Sequence, residues 1–197
     1  TGYNGTPTIQ TGSSRIQADS DGVTIRNLEI TSNPGSDTFR TLEAVGSGVT
    51  FDGVKLSAPN SSGDPTEANG NPIIQVNGPD ATVENCEVIG SAIGVKGVSG
   101  AAFTAINNYI EDAATEGIFA FGNSSVDYTI ENNKVENHNI DNVNAKEIKI
   151  AEDPASVNGE TNKSAQIESL LTENSVNSVQ LNGDAGTRAT PDITGSG

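Results

Sequence analysis

The sequence predicts an all-β chain wound coil upon coil as a single parallel β-helix. Three observations point there. One short pattern recurs at residues 24–30, 50–56, 82–88, 104–110, 129–135 and, in degenerate form, 170–176. Repeats at intervals of tens of residues mean stacked architecture. Every copy breaks its inward/outward alternation at one place, and that place is held by Asn27, Gly53, Asn85, Asn107 and Asn132.

Each copy starts as a half-buried strand. With the first apolar residue as position zero, that column reads Ile25, Phe51, Val83, Ala105, Ile130 and Leu171. Two residues earlier stand Val23, Val49, Ala81, Phe103 and Tyr128, of the same parity. Side chains of one parity share a strand face, so these point inward and the polar residues between them outward. Beyond position plus two the parity reverses: Leu28 and Ile30, Val54 and Leu56, Cys86 and Val88 turn inward. A reversal needs a bend, and Asn and Gly share tolerance of the left-handed αL conformation. At plus three, Asn108, Asn133 and Asn174 follow one another and are expected to stack as an internal amide ladder. In the last copy Glu173 stands at the corner, so the corner there is expected to shift or be lost.

A further apolar run follows each copy, at 73–76, 93–95, 118–121, 148–150 and 179–181. One coil is therefore strand, corner, strand, turn, strand. About six to seven coils at roughly 4.8 Å make a rod about 30 Å long. The competing reading, a β-sandwich with Asn-Gly turns, does not explain a fixed internal bend.

Through its corner Asn column the chain resembles the right-handed β-helix superfamily typified by pectate lyases, polygalacturonases and their non-enzymatic relatives. The likeness covers roughly residues 16–182. It implies a right-handed coil and no one activity. Residues 1–15 are expected as an extended N-terminal segment, 16–182 as the β-helix domain, and 183–197 as a flexible tail or linker. Helical capping is not evident at either end, so the open end coils are expected to pair with another subunit or domain.

Composition narrows the function classes. A net charge of −16, from 26 acidic and 10 basic side chains, disfavours nucleic acid and anionic membranes. It fits a surface kept soluble in high salt, and alternatively divalent-cation binding. No stretch approaches membrane-spanning length. The single cysteine, Cys86, sits in an inward column and reads as a small buried apolar residue. A chain starting at Thr1 fits the mature piece of a secreted protein and equally an excised domain. Sequons at Asn4, Asn60, Asn123 and Asn162 are glycosylation candidates and agree with an extracellular or cell-surface location.

Insertions between the second and third strands of a coil, at 31–41, 57–72 and 136–147, are expected to gather on one side of the rod, where a rigid scaffold carries function. They hold Asp37, Arg40, Asp64, Glu67, His138 and Asp141; Glu111, Asp112 and Glu116 lie beside them. A fourth insertion is expected at 151–164. Paired carboxylates can act as acid and base or hold a hard cation. Glu111, Asp112, Glu136 and His138 are accordingly the sharpest catalytic candidates, against a bland reading as solvated loop residues. No cofactor is expected, with Ca²⁺ the one ion the carboxylates suggest. The segment Asp19-Ser20-Asp21-Gly22 only faintly resembles a calcium loop and reads as turn chemistry. The expected role is a non-catalytic extracellular structural or adhesive protein of a surface layer, filament, appendage or virion, self-associating or joined to neighbouring subunits. The alternative is a polysaccharide-acting lyase or hydrolase, or a carbohydrate-binding β-helix module.

Overall fold

A computed structural model describes residues 7–12, 15–32, 41–57, 72–98, 101–137 and 146–187. Among them, parallel strands stack in three faces. The first face is β3 (Thr24–Arg26), β6 (Thr50–Asp52), β9 (Ala81–Glu84), β11 (Phe103–Ile106), β13 (Asp127–Glu131) and β16 (Ser156–Val157). The second is β1 (Thr8–Gly12), β4 (Glu29–Ser32), β7 (Lys55–Ser57), the first half of β10 (Glu87–Gly97), the first half of β12 (Tyr109–Ala120) and β14 (Lys134–Glu136). The third is β2 (Ile16–Ala18), β5 (Leu42–Ala44), β8 (Pro72–Val76), the second halves of β10 and β12, β15 (Ile148–Ile150) and β17 (Ser178–Leu181). Strands β10 and β12 run unbroken round the corner between the second and third faces, so both faces form one hydrogen-bonded sheet. The fold is all-β and parallel, as the repeat requires.

The core is a set of stacked columns. Phe51, Val83, Ala105 and Ile130 are all 0% exposed and lie in register on successive coils. The corner residues Asn27, Gly53, Asn85, Asn107 and Asn132 have φ of 51°, 62°, 53°, 57° and 56°. Each donates its backbone N–H to a carbonyl of the next coil, from Asn27 to Asp52 O at 3.0 Å through Asn132 to Glu173 O at 2.6 Å. The five corner N–H groups are thus all paired across coils.

One column inward, the side-chain amides form a buried ladder. Asn108 Nδ2 donates to Asn133 Oδ1 at 2.9 Å, and Asn133 Nδ2 to Asn174 Oδ1 at 2.9 Å. Each also donates to position zero of the preceding coil: Asn108 to Val83 O, Asn133 to Ala105 O and Asn174 to Ile130 O, at 2.8–2.9 Å. Cys86 continues the motif downward, its Sγ donating to Phe51 O at 3.5 Å while its N–H donates to Asn108 Oδ1. Burial pushes this thiol up to about 11, so it stays protonated and inert near neutrality.

The C-terminal end differs from the sequence expectation in three ways. Residues 170–172 do not form a sixth first-face strand; they end helix α1 (Lys163–Thr172). Asn162 caps that helix, its Oδ1 accepting from Ser164 N and Ala165 N, and Gln166, Ser169, Leu170 and Leu171 are buried beneath it. That spacing is helical, and burial against the last coils outweighs the weak likeness to the repeat. Glu173 accordingly sits at φ −89°, in αR, and the corner is lost while Asn174 keeps its place in the ladder. The expected insertion at 151–164 contains β16, paired with β13. Within the expected tail, β18 (Asp184–Thr187) folds back antiparallel on β17. At the other end, β1 lies inside the expected extended segment and pairs with β4. The rod therefore carries its own C-terminal cap, where the sequence reading found none.

Candidate functional site

The outward column of the second face runs in register Glu29, Lys55, Glu87, Tyr109, Lys134. Lys55 Nζ lies 2.7 Å from Glu87 Oε2. Next to this column Glu111 and Glu136 are direct partners on adjacent coils. Lys134 Nζ stands 2.6 Å from Glu136 Oε1, and Tyr109 Oη donates to Glu136 Oε2 at 2.9 Å. Lys134 and Tyr109 hold Glu136 below the usual carboxylate range, Lys134 contributing most. In return the Glu136 carboxylate, with burial and Glu111, raises the Tyr109 phenol above its ordinary value. Asn137 Nδ2 donates to Glu111 Oε1 at 3.4 Å. The group is an ionised carboxylate beside a protonated phenol and an ammonium, on an open sheet face where the Lys134 and Glu136 side chains are 51% and 41% exposed.

Of the sequence candidates, the structure brings together Glu111 and Glu136 and gives Asp112 a different part. Gly90 (φ 69°), Asp112 (φ 57°) and Asn137 (φ 52°) follow the partnered residues Ile89, Glu111 and Glu136 in turn, so they form a second αL corner column. Asp112 is exposed there and its backbone makes the bend. Glu116 lies beyond that bend on the third face, buried and 3.4 Å from Lys149 Nζ. His138, Asp37, Arg40, Asp64, Glu67 and Asp141 lie outside the described residues, as do the sequons at Asn4 and Asn60. Asn123 and Asn162 are described: Asn123 Oδ1 accepts from Ser125 N, and Asn162 is the exposed helix cap. Asp21 Oδ1 accepts from Ser47 N at 2.8 Å and Gly22 has φ 66°, which is turn geometry. Among the described residues no three His, Cys, Asp or Glu side chains come together as a metal site.

Two features escaped the sequence reading. Tyr109 and Lys134 flank Glu136; their shared outward parity was the available signal. On the third face, Phe119 and Phe121 are half-buried on the outward side, ring centroids 4.7 Å apart and edge to face. Lys96 Nζ lies 5.7 Å from both ring centroids and Lys149 Nζ 5.8 Å from that of Phe119. The alternation Ile118-Phe119-Ala120-Phe121, apolar at every position, hides which parity faces out.

Comparisons with curated proteins and with solved structures returned no match. Residues 8–154, more than half of the chain, match the family described as right handed beta helix region. Together with parallel faces stacked on αL corners, that match makes this chain a member of the right-handed β-helix family.

Proposed function

We propose that this protein is a non-catalytic extracellular structural or adhesive component, of a surface layer, filament, appendage or virion, suited to high salt. One observation carries the reading. The candidate carboxylates are already engaged by neighbours of their own sheet, Glu136 by Lys134 and Tyr109 and Glu111 by Asn137. Exposed ion pairs and hydrogen bonds of this kind keep an open sheet face polar while adding little stability each. A carboxylate held ionised by an ammonium is a poor proton donor. The charge of −16 supports solubility at high ionic strength.

A second reading, a polysaccharide-acting lyase or hydrolase or a carbohydrate-binding module, is favoured by the in-register Glu111–Glu136 pair. One experiment separates the two. The protein is incubated with neutral and uronate polysaccharides, with and without Ca²⁺, and new chain ends and viscosity are followed. No cleavage is expected. Cleavage that is lost in Glu136→Gln overturns the scaffold reading.

A further inference from the structure

We propose that two copies of this chain associate side by side, the first face of one rod against the third face of the other at the same height. The contact deepens the scaffold role proposed above and rests on it. Two outward columns on the same three coils carry the case. On the first face Glu84, Ile106 and Glu131 lie in register. On the third face Lys96, Phe119 and Lys149 lie in register. All six are partly exposed. Acid, apolar, acid therefore faces base, aromatic, base, with matching spacing, because both columns are ruled by the same coil repeat of about 4.8 Å.

The partners are available. Among the described residues, neither Glu84 nor Glu131 meets a basic side chain, and Lys96 meets the two rings but no carboxylate. Lys149 shares its charge with the largely buried Glu116 at 3.4 Å, so Lys96 is the stronger cation of the two. Half-buried Ile106 and Phe119 supply the apolar centre, and charges at its rim set register, as in protein interfaces generally. Parallel rods meet with their strands antiparallel across the contact. That sets the outward threonines Thr82, Thr104 and Thr129 against Val98, Phe121 and Ala151, methyl groups against an apolar strip. At the C-terminal end α1 packs on the last coils and β18 pairs with β17, so that end is not the surface used. A first-on-third contact is heterologous, so each pair keeps one free face of each kind and growth continues into a ring or an array.

The test is sedimentation equilibrium of the whole chain in about 0.15 M NaCl, where charges more than about 8 Å apart are screened and the long-range repulsion between acidic rods is reduced. Wild type is expected above the mass of one chain. The double variants Lys96→Glu/Lys149→Glu and Glu84→Lys/Glu131→Lys are each expected to associate at least about tenfold more weakly. Mixed, the two are expected to regain association, since each swapped face now fits the other. If a double variant does not melt cooperatively, Ile106→Cys mixed with Phe119→Cys replaces it; an oxidised cross-linked dimer is expected, and Cys86 is buried and does not compete. A monomeric wild type, or a mixture that stays monomeric, overturns the contact. Association insensitive to both double variants overturns it too, while leaving the scaffold role standing through another surface. A uronate polymer that binds the monomer and is lost with Lys96→Glu/Lys149→Glu overturns it in favour of a carbohydrate site.

Discussion

At the C-terminal end Leu170 is 0% exposed beneath α1, β18 closes the third face, and Asn158 clasps the backbone of Ile130 beside the short strand β16, accepting from its N–H at 2.7 Å and donating to its carbonyl at 3.0 Å. At the N-terminal end the matching columns are held by Val23, Ile25 and Leu28, which remain only partly buried, and the described residues place no further strand beyond β1, β2 and β3. The inward column at plus three differs as well. It is Leu28, Val54 and Cys86 in the first coils, then Asn108, Asn133 and Asn174 in the last. Apolar packing tolerates small slips between coils. A ladder of amides, each donating to one set carbonyl, does not. The C-terminal half is thus locked and covered, whereas the N-terminal coil is the natural place for opening or for joining to another segment.

The largest effect expected is at Asn133, fully buried and bonded above and below. Asn133→Leu should cost about 3 kcal/mol or more in chemical denaturation, because it strands Ala105 O and the amide of Asn108. Leu28→Ala, in the same column, should cost about 1 kcal/mol from the smaller area it buries. Equal costs would erase the distinction between the halves.

Covering is tested next. Leu170→Ala should cost about 3 kcal/mol, near the middle of the range for a buried leucine. Ile25→Ala should cost about 1 kcal/mol, since its side chain is already half in water. Native-state hydrogen exchange should show amides of β3 opening before those of β13 and β17; the reverse order would place the weak end wrongly.

The corner column runs through both halves and should not discriminate between them. Asn27→Val and Asn132→Val should each cost about 1–3 kcal/mol from αL strain, with replacement by Gly largely sparing it. A negligible cost at both sites would contradict the αL geometry.

Salt should act more gently. Between low and molar NaCl the melting temperature should rise, as screening relieves repulsion across a surface of net charge −16. A flat or falling trend would count against a high-salt surface. The smallest effect is pH. Because Lys134 and Tyr109 lower the Glu136 pKa on folding, its stabilisation is present above the ordinary carboxylate value and fades as pH falls through the lowered one. A Glu136→Gln variant should therefore lose slightly less stability than wild type on acidification, and a larger loss would reverse the sign.

The local rules were legible in the chain itself. A bend needs αL, αL favours Asn and Gly, and the recurrence of that pair at Asn27, Gly53, Asn85, Asn107 and Asn132 implied stacking before any coordinate. Inward parity likewise placed Cys86 and the three ladder asparagines. The same parity would have set Tyr109 and Lys134 beside Glu136, but it gives no distance and does not say which neighbour wins a carboxylate. The rest belonged to tertiary structure. Leu170 and Leu171 suit a strand or a helix; what decides is tertiary packing, which buries them with Gln166 and Ser169 on one side of α1. Asp112 looked like half of an acidic pair until its coil placed it in a corner column. The Lys96–Phe119–Lys149 and Glu84–Ile106–Glu131 columns come from residues more than twenty positions apart, and only the coil register makes neighbours of them.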